Sequence, residues 1–368
     1  MNSEKNLSYI FLFIILIYIF VTNSYFEYEK SLIYGGADGF SYYEISKFAP
    51  KLSSTKIQPI HAERFFFPYI IGIISKISSI EIYLLNRILV IVLILLINKY
   101  FIDIFLKFNK NIYTILLSLL ILNLNPYITR FYIAVPLIIN DLFFIYGSLL
   151  SISGLKDTNK KKFFFGLIIS SFARQSAAAI CLAILLTKVI QKDKFFLRYS
   201  EIILSFIIFI MIYFFGYIYS SLIPMLVPRS EQYFITIFGL FIESKTFKEL
   251  FIFFVWPFLS FGPLLIFFII FIKKSLINFK INLNINYFLI FFTLLIIMQP
   301  ILQGVYVSGK NIIRLSTLAY PAVLTYLLIN SKSENINKIQ LIFFILILFV
   351  WSSHPTFSNF NFLEKFKF

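Results

Sequence analysis

Asp38 stands in YGGADGFSYYEISKFAP, residues 34–50 of a 368-residue chain otherwise dominated by Phe, Ile and Leu. Glycines at 35, 36 and 39 flank this carboxylate and favour a turn whose backbone can approach a ligand closely. A competing reading makes Asp38 the N-cap of a helix beginning at DGFSYYEISKF, a position that needs no chemical role. The segment is not a nucleotide-phosphate loop, because it lacks the Gly-Lys-Ser/Thr ending and follows no strand.

Arg64 comes directly before the apolar FFFPY. A guanidinium there is a fork donor suited to a phosphate group, although an Arg at the membrane edge commonly snorkels, the simpler of the two readings. Lys310 and Arg314 in SGKNIIRLS form a second cationic pair, open to the same two readings. Asp141 is harder to dismiss, since it lies inside VPLIINDLFFIYGSLL with no partner adjacent in sequence, and a carboxylate in such a run is costly. A structural ion pair with Arg130 or Arg174 is the alternative to a functional role.

The elements that must position these residues are membrane helices. Hydrophobic residues make up 60% of the chain and charged residues 14%, against roughly 25% in a soluble domain. Apolar runs recur from end to end, and none alternates as an outer-membrane barrel strand does. The abundant Phe, Ile, Asn and Lys also fit AT-rich codon usage, so aromatic content carries no functional weight. Cys181 stands alone and makes no internal disulfide, and His61 and His354 belong to no Cys/His cluster of the zinc-binding kind. The net charge of +16 does not point to nucleic acid, because the basic residues sit in short loops between apolar runs, where they report orientation.

The first run, 7–21, reads as an uncleaved span, followed by a long polar interval at 22–64. Residues 65–77 are apolar but short and contain Pro68 and Lys76, so they read as an interfacial helix. Further spans are expected at 82–97, 112–124, 132–152, 163–172, 177–187, 202–223, 250–272, 287–303, 315–329 and 339–351. With the N-terminus inside, every strongly basic short loop, KDTNKKK among them, then faces the cytoplasm. The expected fold is an all-α integral membrane protein with about 11 transmembrane helices. A juxtamembrane helix is expected within a first outer loop at 22–81, all in one polytopic domain. Residues 163–187 are read as two tilted or partial helices with Arg174 near the outer turn, a single tilted span being the alternative.

The order of these features resembles a known family. Asp38 in a long first outer loop, Tyr42 in DGFSYYEISK, Arg64 and Pro68 in ERFFFPYIIG, then NPYITRFYIAVPLIIND, ARQSA and NIIRLSTLAYP resemble polytopic glycosyltransferases of the C superfamily (GT-C). The similarity is to the protein mannosyltransferase-like and lipid-A aminosugar-transferase-like branches. It implies a sugar donor carried on a polyprenyl phosphate and a glycan, lipid or protein acceptor. Asp38 is then the general base on the acceptor hydroxyl, with Tyr42, Arg64, Arg174, Lys310 and Arg314 binding substrate. Asp141, with Asp38, is the candidate for a divalent cation such as Mg or Mn, or alternatively the group that orients Arg174. One branch carries Asp-Glu where this chain has Asp-Gly. The layout implies a multi-pass protein of a bacterial cytoplasmic membrane, in contact with its lipids, with the active site facing outward and no nucleic-acid partner.

Two other classes fit less well. O-antigen or exopolysaccharide polymerases share the span number and outer arginines, but their key loops fall later in the chain. A lipid or ion transporter is expected to show repeats and midplane polar residues, which are not evident here.

Overall fold

A computed structural model describes residues 2–108, 112–192, 195–232, 285–303, 311–330 and 338–353, with isolated positions between 234 and 264. Among these residues the chain is helical and forms no sheet. The helices begin with α1 (Asn2–Thr22), α2 (Tyr28–Phe48), α3 (Pro59–Ala62), α4 (Phe66–Ser78), α5 (Ile82–Phe108) and α6 (Ile112–Leu124). Beyond a π turn at Pro126–Arg130 come α7 (Phe131–Ala134), α8 (Ile139–Lys156), α9 (Lys160–Ala173), α10 (Ala178–Gln191) and α11 (Tyr199–Ser221). Further along are α12 (Ile285–Leu302), α13 (Ile312–Ser316), α14 (Tyr320–Asn330) and α15 (Lys338–Ser352).

Among the described residues five stretches are long and apolar enough to cross a bilayer: Glu4–Thr22, Ile82–Lys107, Pro136–Lys156, Tyr199–Ser221 and Ile285–Leu302. A sixth results if Ile115–Leu124 and Pro126–Ala134, bent by 40°, act as one span. This is the build of a helical membrane protein. The larger count expected from sequence is not reached among the described residues, for local reasons. Residues 163–187 fold as two 14-residue helices, α9 and α10, parted where Arg174 adopts extended backbone. Residues 315–329 pass through a 3-10 turn at Thr317–Ala319. Most of 250–272 lies outside the described residues, as do Lys310 and His354.

α4 has 13 residues, about 20 Å of helix, too short to cross. It packs through Gly72 onto the Ser46 carbonyl of α2 while Ile74 and Ile77 stay exposed. Phe66 and Phe67 stack on Phe172 of α9 and Phe143 of α8.

Enclosure ranks the spans. The Pro136–Lys156 span is 89% buried, so α8 is the axis of the bundle, with α5, α9, α12 and α14 around it. The Tyr199–Ser221 span is only 22% buried and presents Ile203, Ile207, Ile210 and Phe214 outward at helical spacing, a lipid-facing stripe. Without water to drive apolar faces together, helices in lipid gain most by close backbone approach. α8 and α9 meet in this way: a Cβ on Gly166 would lie 2.5 Å from both the Gly147 oxygen and the Ser151 nitrogen.

Charged groups collect at the two ends of α8. At its C-terminal end Lys107 pairs with Asp157 at 2.7 Å, Lys160 with Glu201, and Lys162 donates to Ser153 at 2.6 Å. Asp141 sits in its first turn, about 22 Å from Lys156 at 1.5 Å per residue. The remaining acids and arginines of interest gather around Asp141. In α2, Gly36 takes φ 55 and ψ −149, which only glycine enters cheaply, and the break delivers Asp38 to that end.

Gly166→Ala forces backbone atoms of α8 and α9 apart and is expected to destabilise the protein by about 1–3 kcal/mol. Thermal unfolding in detergent reads this as a lowered transition temperature. An unchanged transition would mean that the contact carries no weight.

Candidate functional site

Asp38 lies two residues beyond the Gly36 break and is only 8% exposed. Its Oδ1 accepts from His61 Nε2 at 2.5 Å, and its Oδ2 accepts from Arg314 Nη2. These partners, rather than its own helix, fix the carboxylate. His61 comes from α3 and arrives with its Nδ1 3.2 Å from Ser41 Oγ, whose hydroxyl donates to the Ala37 carbonyl one turn back. Nε2 carries the proton it donates to Asp38.

Three residues after His61, Arg64 donates from Nε to Gln175 Oε1 at 2.5 Å and from Nη1 to the Tyr42 hydroxyl at 3.4 Å. Its carbonyl is held by Asn140 Nδ2 at 2.9 Å, so α8 anchors this stretch from below. Gln175 is itself fixed, donating to Glu63 Oε2 and to the Ile60 carbonyl. Arg64 is therefore held in place by neutral groups.

Asp141 is fully buried, accepting from Arg174 Nη1 and, at 3.2 Å, from the Tyr132 hydroxyl. Of the two partners open to it from sequence, Arg174 is the one it meets. Arg130 is buried elsewhere, donating to Ser352 Oγ at 2.8 Å and Thr22 Oγ1 at 2.9 Å, with the Tyr18 ring 5.4 Å away.

Arg314 in α13 joins the two acids. Its Nη2 donates to Asp38, and its Nε lies 3.5 Å from Asp141 Oδ2. The side chain is 6% exposed, yet Nε and Nη1 have no hydrogen-bond partner, and Arg174 Nε has none either. Three guanidinium groups thus stand with Asp38 and Asp141, and a third buried acid, Glu63, reaches Arg64 through Gln175.

A cavity of about 170 Å³ opens beside this cluster. Asp38, His61, Arg64, Arg174 and Arg314 line it. Gln58, Gln232, Gln299, Gln303 and Asn311 are also among the lining residues. Ser176, Gln299 and Gln303 also border a second, largely apolar groove of about 320 Å³ lined by Ala178, Ala179 and Leu182 of α10 and Leu295, Met298 and Leu302 of α12. Leu182, Met298 and Leu302 are each 40% exposed or more, which puts this groove on the outside of the bundle.

Sequence reasoning named Asp38, Tyr42, Arg64, Asp141, Arg174 and Arg314, and the fold brings all six together. It passed over His61, Gln175, Tyr132 and the amides. For His61 a signal existed: HAER places it one helical turn before Arg64, on the same face. A divalent ion at Asp38 and Asp141 does not suit the donor set, because Arg174 and Arg314 hold the oxygens that a cation would need. Comparison with known protein families, curated proteins and solved structures finds no match.

Burial opposes the ionised form of Asp38, but Arg314, His61 and Arg64 outweigh it and hold the carboxyl well below the usual carboxylate range. For Tyr42 burial prevails and pushes the phenol up. Because the folded-state value of Asp38 is depressed, its stabilisation is complete above the unfolded value near ~3.9 and is lost as pH falls through the folded value. The difference in transition temperature between wild type and Asp38→Asn should stay constant from neutral pH down to about 4 and close only below it. Closure already between about pH 5 and 6 would mean that the carboxyl is not held down.

Proposed function

We propose that the protein is a membrane glycosyltransferase that moves a sugar from a polyprenyl-phosphate donor to a glycan, lipid or protein acceptor. The observation that carries this reading is the buried, partly unpartnered guanidinium of Arg314 at a cavity lined by three arginines, next to an apolar groove. A phosphate with a long hydrocarbon tail answers both features at once. The amides lining the cavity suit sugar hydroxyls, which need donors and acceptors without net charge.

In this reading Asp38 takes the proton of the acceptor hydroxyl as its oxygen bonds to the anomeric carbon. The bond from that carbon to the phosphate oxygen breaks, and the leaving phosphate carries away the electron pair. Arg64, Arg174 and Arg314 stabilise the charge growing there, in a site where water is scarce. Attack from the face opposite the leaving group inverts the anomeric carbon. No step runs through a metal. The resemblance of the layout to C-superfamily glycosyltransferases supports the same assignment.

The lysines of KDTNKKK lie at the end of α8 remote from the cluster, and basic loops mark the cytoplasmic face. The site accordingly opens on the outer face. With Cys181 replaced by Ser, a cysteine at Lys51 should label from the outside and one at Thr158 should not; the opposite pattern reverses the orientation. Both probe positions are exposed.

Asp38→Asn is expected to lower transfer from a polyprenyl-phosphate-linked sugar by about 10²–10⁴-fold while the thermal transition at neutral pH shows a folded protein. The measurement is incorporation of radiolabelled sugar into acceptor by membranes carrying the protein. A folded Asp38→Asn protein transferring at the wild-type rate removes Asp38 as the base.

A further inference from the structure

Asp38 is a poorly placed base in the arrangement described. Both of its oxygens already accept hydrogen bonds, Oδ1 from His61 and Oδ2 from Arg314. Arg314 has the opposite problem. It is buried, its Nε and Nη1 lack hydrogen-bond partners, and it lines the cavity. A buried guanidinium with idle N–H groups is costly unless something else occupies them part of the time.

The neighbours show what would give way if an anion arrived. Asp141 keeps Arg174 and Tyr132 whatever Arg314 does, and its contact with Arg314 is the long one, at 3.5 Å. Asp38 keeps His61 on Oδ1, so loss of Arg314 would free Oδ2 without releasing the side chain. A phosphoryl group reaching Nη1 offers the planar fork two oxygens, where Asp38 gives it only Oδ2. The guanidinium then serves the phosphate at the expense of Asp38.

We propose that Arg314 is an exchange residue that masks Asp38 in the empty site and surrenders it when a phosphate-bearing ligand enters the cavity, so that anion binding exposes Asp38 Oδ2 as the base. The inference rests on the phosphate-bearing donor of the reading above and adds an order to it. The donor binds first, and only then is there a free carboxylate oxygen for the acceptor hydroxyl. Water or acceptor entering an empty site meets a carboxylate already neutralised.

Exchange has a reciprocal consequence. If phosphate weakens the hold of Arg314 on Asp38, then Asp38 weakens the hold of Arg314 on phosphate by the same factor. Removing the supposed base should therefore tighten ligand binding. The experiment uses the full chain in detergent and measures affinity by calorimetry for farnesyl phosphate, with farnesol as the tail alone and inorganic phosphate as the head alone. Asp38→Asn is expected to bind farnesyl phosphate about tenfold tighter than wild type, with farnesol unchanged. In an Arg314→Gln background the same substitution should have little effect. If Arg314→Gln does not fold, Arg314→Lys, which keeps the charge but not the fork, should still reduce the gain.

A gain that persists in full without Arg314 would reflect only the removal of a negative charge and overturns the exchange. So would no gain, weaker binding, or no binding of any phosphate probe by wild type or variants. If inorganic phosphate shows the whole pattern and the farnesyl tail adds no affinity, the exchange stands with a free phosphate as its ligand. Exchange without sugar transfer would retain this inference while removing the transferase reading.

Discussion

The structure depends on how charge is kept inside an apolar bundle. Asp38, Asp141, Arg64, Arg174 and Arg314 are each less than a tenth exposed, and an isolated ion in such surroundings would cost several kcal/mol. None is isolated. Arg314 bridges the two acids, Arg174 secures Asp141 from the break between α9 and α10, and Arg64 is braced by Tyr42 and Gln175. The two acids and three arginines arrive on five separate segments. The cluster is therefore the point at which α2, the Arg64 stretch, α8, the α9–α10 break and α13 are held in register.

Breaks in the helices are the second organising feature. Gly36 interrupts α2, Arg174 parts α9 from α10, and a 3-10 turn separates α13 from α14. Irregular backbone at membrane depth is tolerated where it is enclosed by protein or lines a cavity. The interruptions lie next to Asp38, Arg174 and Arg314, residues that line the same cavity. Arg130 offers a contrast. It is just as buried, but its partners are Ser352, Thr22 and the face of Tyr18, groups at the ends of α15 and α1, and its role is to tie those helices to the π turn.

Much of the site was legible because an ionisable residue beside or inside an apolar run stands out in one dimension, as Asp38, Arg64, Asp141, Arg174 and Arg314 do. The break at Arg174 was legible for a similar reason, since 25 residues between basic loops fit neither one helix nor two full spans. The pairing was not. Nothing in the sequence distinguishes Arg130 from Arg174 as the partner of Asp141, because the choice depends on which helix ends meet. The amides were invisible because a neutral polar residue is ordinary in a sequence, and only the fold brings Gln58, Gln232, Gln299, Gln303 and Asn311 to one cavity. The count of about 11 spans is not confirmed among the described residues on a related point: hydropathy identifies apolar segments, but whether a 14-residue helix crosses depends on neighbours and tilt.

The groove between α10 and α12 lies on the outer surface of the bundle, with Leu182, Met298 and Leu302 partly uncovered, and it touches the charged cavity through Ser176, Gln299 and Gln303. A molecule arriving by that route never has to leave the bilayer. Its encounters are two-dimensional, and the concentration that governs occupancy is its mole fraction among lipids rather than its amount per litre of water. Two compounds with identical head groups and equal contacts in the cavity would then differ in potency simply by how strongly each partitions into membrane.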